Sequence, residues 1–582
     1  MTIFLPNIIF RKFVASIKKT TNQHMTISSI FNNKFILVKT ACSLILLLSV
    51  FSCNQKKEFN ADLLVKNARV YTVNKQFTVA EAFVVRDGKI LAVGKTADLE
   101  KNYVVKTVLD AAGKAVFPGF IDAHTHFYRY GMDLQAVDLK GIDSWLALVD
   151  SVKHFAEANT EGWIIGNGWD QNLWKIKQFP NKQQLDILFP IRPVLLTRVD
   201  GHAAIANQAA LNIAGIKPNQ KVSGGEIETV KGKLTGILVD NAVNLITHKI
   251  PAATDEQTNN AFLQAQQNCF AVGLTSVADC GLDYPLISNI RQLQNRGDLK
   301  MRMFIMLSDN QQNLDYLFKN GAIRTPRLNI SAVKVYADGA LGSRGACLLK
   351  PYSDQPKWNG FLRSPEQHFQ DLAKLLADKG LQMCTHAIGD SANRMMLKIY
   401  AGVLKGKNDR RWRIEHAQII DPVDFKLFGE NNIIPSVQPT HATSDMNWAV
   451  QRLGKIRIKT AYAYQQLLQQ NGWLPLGTDF PVENISPFYT FYAAVERKDL
   501  KGLPADGFQK ENALTREQAL RGMTIWAAKA NFQENDRGSL EPGKLADFVL
   551  LDQDLMQIKG SELPKVKVLQ TYINGENVYK KR

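Results

Sequence analysis

Cysteine is scarce, with six in 582 residues, and no two stand in CxxC spacing. That count and spacing indicate neither a disulfide framework nor a thiolate zinc knuckle. Internal repeats and low-complexity tracts are missing beyond the first 57 residues. With 45% hydrophobic and 21% charged content, this excludes disordered and collagen-like chains. Acidic residues are absent from positions 1–57, where Arg11, Lys12, Lys18, Lys19, Lys34, Lys39, Lys56 and Lys57 stand. Nearly half of the net charge of +17 sits in that leader. Outside it no basic cluster is interleaved with aromatics, so the charge does not argue for nucleic-acid binding.

What is present begins with export. A basic start, a short apolar run at 44–51 and the small residue Ser52 read as a secretory signal over 1–52. At about ten residues the run is too short for a bilayer span, which needs about 20. Val50-Phe51-Ser52-Cys53 resembles a bacterial lipobox. This implies lipidation at Cys53, a tether over 53–60, placement in the periplasm or cell envelope, and membrane contact only through the anchor. An ordinary signal cleaved nearby, or an uncleaved anchor, is the other reading, and Met25 is an alternative start. Cys269, Cys280, Cys347 and Cys384 remain, and we expect them to be buried.

Short antiparallel strands are expected over 61–115, with an Asp87-Gly88 turn, and again over 531–582, with an Asn574-Gly575 turn. The two ends would complete one small composite β-sandwich. Between them apolar runs alternate with amphipathic stretches. We expect strands at 116–121, 274–278, 301–306, 330–336, 381–385, 412–415, 433–437 and 474–477, and helices such as 366–379 and 515–530. Eight such units predict an α/β fold, a (β/α)8 TIM-like barrel over 116–530. The stretch from about 127 to 270 is too long for one connection and is expected to be an insertion.

Barrel enzymes carry reactive groups at the C-terminal ends of their strands. Here the expected strand ends read His124-Thr125-His126, Lys334-Val335-Tyr336-Ala337-Asp338, Cys384-Thr385-His386, Glu415-His416 and Thr478-Asp479. His124 and His126, two apart on extended chain, point to one side and can share a cation. Four of only ten histidines fall at these ends. Lys334 stands inside an apolar strand, where an unpaired ammonium is costly. Two remedies are open: carboxylation to a carbamate that bridges two metals, or pairing with Asp338 or Asp279. A structural zinc site prefers four closed ligands, often thiolates, whereas mixed His and carboxylate ligands at a barrel mouth favour catalysis.

Pro118-Gly119-Phe120-Ile121-Asp122-Ala123-His124-Thr125-His126, the spaced His386, His416 and Asp479, and the run from Gly538 to Phe548 resemble the amidohydrolase superfamily. Gly168-Trp169-Asp170, the run from Leu196 to His202, the run from Ala337 to Arg344, and Gly477-Thr478-Asp479-Phe480-Pro481-Val482 resemble its family 3 branch, which contains N-substituted formamide deformylases. The resemblance implies a distorted barrel holding one or two divalent ions, usually zinc. His124, His126 and Asp479 would bind one ion, and a carboxylated Lys334 would bridge to a second on His386 and His416. Ser276-Val277-Ala278-Asp279 departs from relatives, which often have His before the Asp, and leaves Asp279 without a role.

The activity so implied is hydrolysis of a C–N amide-type bond of a small molecule by a metal-activated water, with Asp479 as catalytic base. A one-metal deaminase of the same superfamily and a surface lipoprotein that only binds are the alternatives. Trp169, Asp170, His202, Arg344, Gln438 and His441 are candidate substrate contacts. Trp169 reads equally as a core residue, and Asp170 with Arg344 as a structural ion pair. The oligomeric state is open, a homo-oligomer included.

Overall fold

The computed structural model describes residues 59–582. The expected signal segment, Cys53 and the tether through residue 58 lie outside the described residues. The central sheet is a parallel barrel of seven strands: Phe120–Thr125, Leu274–Leu282, Arg302–Ser308, Leu328–Tyr336, Gln382–Ala387, Arg413–His416 and Ile434–Ser436. Each pairs in parallel with the next, and the short Ile323–Arg324 adds an antiparallel edge to the fourth. These strands read as continuous apolar runs because both faces are buried, as in Arg302–Ser308, where only Ser308 escapes full burial. Between them lie amphipathic helices. Glu366–Asp378 buries Phe369, Leu372, Ala373 and Leu376 along one stripe.

Three expectations need correction. The run 116–121 is two strands, not one. Ala115–Pro118 belongs to an outer sheet, antiparallel to Phe548–Leu551 and parallel to Arg69–Tyr71, and the barrel starts at Phe120. The run 474–477 makes no regular ladder. It closes the barrel as extended chain, with Gly477 N–H donating to Val437 O (3.0 Å) and Ala123 N–H to Leu476 O (3.2 Å). Pro475 lacks a donor, and a Cβ on Gly477 would lie 2.6 Å from the His124 nitrogen, so regular strand geometry does not fit there. Finally, the helix expected over 515–530 breaks into Arg516–Gly522 and Ile525–Ala530. At the break the Gly522 and Met523 carbonyls accept the Leu476 and Ile121 N–H groups of the barrel instead of continuing the helix.

Residues 137–240 contribute a separate six-stranded sheet in the order Gly225–Val230, Lys233–Asp240, Ala203–Ala206, Val194–Arg198, Ile164–Trp169, Val137–Asp138. At the other end, two sheets face each other around Val70, Phe83, Val116, Phe548 and Tyr572. One comes from the N-terminal strands alone. The other mixes them with Phe548–Leu551, Val568–Ile573 and Glu576–Lys580.

Barrel and outer sheet are joined by a buried ion pair. Arg302 Nε donates to Asp547 Oδ2 (2.6 Å) and Nη2 to Oδ1 (2.8 Å), while Asn574 N–H donates to Oδ1 (2.9 Å). Burial by itself would raise the Asp547 carboxyl, but the Arg302 guanidinium outweighs it and holds the group below the ordinary carboxylate value. Asp547→Asn leaves Arg302 buried without its counter-charge and should cost about 3–5 kcal/mol, read by denaturant unfolding. Because the folded carboxyl is depressed, the wild-type advantage should be full above pH of about 4 and shrink as pH falls below it. A pH-independent difference would contradict this.

Candidate metal centre

The strand register levels the polar groups at the C-terminal mouth, since Tyr336 pairs with His386 and Ala387 with His416. Asp479 Oδ1 lies 3.3 Å from His126 Nε2 and 3.5 Å from His124 Nε2. Ligand-capable atoms of His124, His416 and Asp479 all fall within 4.8 Å of one another. Lys334 Nζ is 3.3 Å from His124 Nε2. The His386 ring lies 4.6 Å from that of His416, yet its Nε2 turns toward Asp338 Oδ1 (3.7 Å) and Gly339 O (3.5 Å). His416 and Asp479 hold positive φ, +71° and +65°, a conformation costing non-glycine residues of order 1–3 kcal/mol and concentrated at functional sites.

Each imidazole is oriented from behind. His124 Nδ1 meets Glu415 Oε2 at 2.6 Å, with both side chains fully buried. His416 Nδ1 faces Gln438 Oε1 at 2.7 Å, and the Gln438 amide donates back to Ser436 O. Both histidines therefore offer Nε2 to the centre. Asp122 accepts the His124 and Thr478 N–H groups and the Thr478 hydroxyl, which locks the first strand to the segment carrying Asp479. Burial pushes His126 down to about 4 and His386 and His416 well below the ordinary imidazole value, so these rings are neutral. Asp479 feels the same burial, but His124, His126 and His441 together hold it well below the usual carboxylate range. His441 Nε2 sits 3.3 Å from Asp479 Oδ2. Against the pull of burial, that carboxylate raises His441 to about 9.

Lys334 is buried and forms no ion pair within 4.0 Å among the described residues. The expected pairing with Asp338 or Asp279 does not form. Asp338 is taken by the N–H groups of Cys347, Ile388 and Gly389, and Asp279 by that of Tyr128. Trp169 is core, fully buried beside Trp174 and Phe179, with its indole N–H on Leu196 O. Asp170 and Arg344 do not pair with each other. Asp170 joins Asp200 on the buried Arg198, and Arg344 bonds Asp354. Arg344 and Gln438 stay off the cavity wall, Gln438 serving behind His416, whereas Asp170, His202 and His441 line it. Sequence reasoning gave no role to Glu415 or Asp122. The i, i+2 spacing of Asp122 and His124 and the adjacency of Glu415 to His416 were the available signals. The partnership of His202 with Asp240, 38 residues on, left none.

His126, Lys334, His386, His416 and Asp479 floor a cavity of about 900 Å³ walled by the barrel mouth and by the separate sheet. Asp479 Oδ1 is buried without a hydrogen-bond partner while neutral imidazoles converge on it, which is the donor set of a divalent-ion site. Opening onto a cavity separates it from a closed structural site.

The amidohydrolase family model matches residues 107–579. Protein LONG AFTER FAR-RED 3 of Arabidopsis thaliana is 33% identical over 539 residues, covering 89% of this chain and 92% of that one. N-substituted formamide deformylase of Arthrobacter pascens is 28% identical over 544 residues, covering 88% and 97%. An uncharacterized metal-dependent hydrolase from Pyrococcus horikoshii OT3 superposes with a TM-score of 0.71 at 28% identity, over 86% of this chain and 99% of that one. With the barrel, the converging imidazoles and the unpaired Asp479 oxygen, these matches make the chain a member of the amidohydrolase family.

Proposed function

We propose that the protein hydrolyses an amide-type C–N bond of a small molecule, an amide or an N-formyl or N-acyl amine. The carrying observation is the unpaired Asp479 Oδ1 among neutral imidazoles at the floor of the cavity. His124, His126 and Asp479 would hold one divalent ion, for which zinc suits the mixed His and carboxylate set. His386, His416 and a carboxylated Lys334 would hold a second. A bound ion supplies polarisation of the scissile carbonyl and acidification of the attacking water. Glu415 keeps His124 aimed, and Gln438 keeps His416 aimed. Asp479 receives the proton of the attacking water and delivers it to the leaving nitrogen. His441, cationic beside Oδ2, steadies the carboxylate between those steps.

A one-ion reading, as in a deaminase, has one observation in its favour: His386 Nε2 faces Asp338 and Gly339 rather than the cluster. Lys334 separates the two readings. It is a buried amine with no carboxylate within 4.0 Å among the described residues, and carboxylation would turn that charge negative.

Chelator-treated protein should lose hydrolysis of N-formyl and N-acyl amines and regain it with zinc. Asp479→Asn should lower kcat by about 10²–10⁴-fold. Activity that survives chelation would sink the proposal. Elemental analysis should find two ions per wild-type chain and one in Lys334→Ala, with the second restored by short carboxylic acids. One ion in both proteins supports the one-ion reading. Glu415→Gln should weaken zinc binding about 10–100-fold in a competitive chelator titration, because His124 loses its orienting carboxylate.

A further inference from the structure

The proposed chemistry uses no residue of the separate sheet, yet that sheet carries a buried carboxylate–histidine pair into the cavity. His202 Nδ1 meets Asp240 Oδ1 at 2.5 Å. The His202 ring lines the cavity, 4.9 Å from the His386 ring and 6.2 Å from Tyr336. Its Nε2 has no protein partner among the described residues. Asp240 ends the strand Lys233–Asp240 and turns straight into the helix Asn241–Thr247, with φ +51° and ψ −122°. That backbone region is strained for a non-glycine residue and is retained where the surroundings enforce it.

The enforcing surroundings are two glycines of the barrel loop. A Cβ on Gly339 would lie 2.3 Å from Asp240 Oδ2, and one on Gly345 would lie 2.4 Å away. The carboxylate therefore fits a slot that any side chain at either position would close. Oδ2, inside the slot, makes no hydrogen bond, which leaves Oδ1 as the working oxygen. Asp240 N–H also donates to His202 O (2.8 Å), so the two residues are fixed through backbone and side chain together. With Nδ1–H given to Asp240, the ring presents Nε2 to the cavity as an acceptor. The nearby basic side chains that could compete for it are turned elsewhere. Lys334 and Arg363 lie against the Tyr336 ring, and Arg363 is held by Asn241.

We propose that His202 is a specificity-determining residue that accepts the N–H of the substrate's amide-type nitrogen, with Asp240 as its positioning residue. The assignment rests on the amide-hydrolase reading for its substrate class. It makes the site selective for nitrogens that still carry hydrogen over fully substituted ones, because an unfilled buried acceptor penalises an analogue lacking the donor.

The test is discrimination between two compounds in binding, with any cleavage recorded separately. N-butylformamide and N-butyl-N-methylformamide are titrated calorimetrically into zinc-loaded wild type, His202→Phe and Gly339→Ala. Wild type should bind the N–H compound about tenfold more tightly. His202→Phe keeps a ring of similar size but no acceptor, and should bind both alike with unchanged zinc content. Gly339→Ala pushes Asp240 from its slot and should lose the preference while keeping zinc. Equal binding by wild type, binding of neither compound, or a preference that survives His202→Phe overturns the proposal. Selective binding by wild type without cleavage would instead overturn the hydrolysis reading and leave this assignment standing.

Discussion

One carboxylate oxygen without a partner, Asp479 Oδ1, is the point around which the mouth of this barrel is built. Burying an anion costs several kcal/mol unless charge or hydrogen bonds compensate. Here His124, His126 and His441 crowd Asp479 while burial keeps His126 and the neighbouring His416 neutral. That arrangement is poor as a protein interior and good as a cation site. The positive φ at Asp479 and His416 belongs to the same compromise, since strands must turn sharply where their last side chains converge.

Rigidity comes from elements that never touch the cavity floor. Asp122 ties the first strand to the closing segment, Glu415 fixes the His124 tautomer, and Arg302 with Asp547 clamps the barrel to the outer sheet. The run Gly538 to Phe548 carries part of the family resemblance, but its Asp547 works in the clamp. Gly339 of the Ala337 to Arg344 run, together with Gly345, likewise acts through space, by leaving a slot for Asp240.

Much of the architecture is legible in the chain itself. Alternating apolar and amphipathic stretches announce βα units, and polar residues at the ends of apolar runs stand out because burial is otherwise so complete. The closing segment at 474–477 reads as a strand by composition, yet Pro475 and the close approach of Gly477 to His124 make it extended chain without a ladder. The single run at 116–121 hid a change of sheet at Pro118-Gly119, since an apolar string does not say which partner each half will find.

The sequence by itself determined which polar residues stand at the barrel mouth and in what order, because residues two apart on extended chain share a side and polar groups at the ends of apolar runs mark the strand ends. Only the tertiary structure decided what each polar group does once buried. It placed Trp169 in the core, split Asp170 from Arg344, left Lys334 without a carboxylate in ion-pair contact and gave His202 to Asp240. Such pairings join residues tens to hundreds of positions apart. They are selected by the cost of leaving any one charge or donor unmatched in a dry interior, a cost that the linear chain does not register.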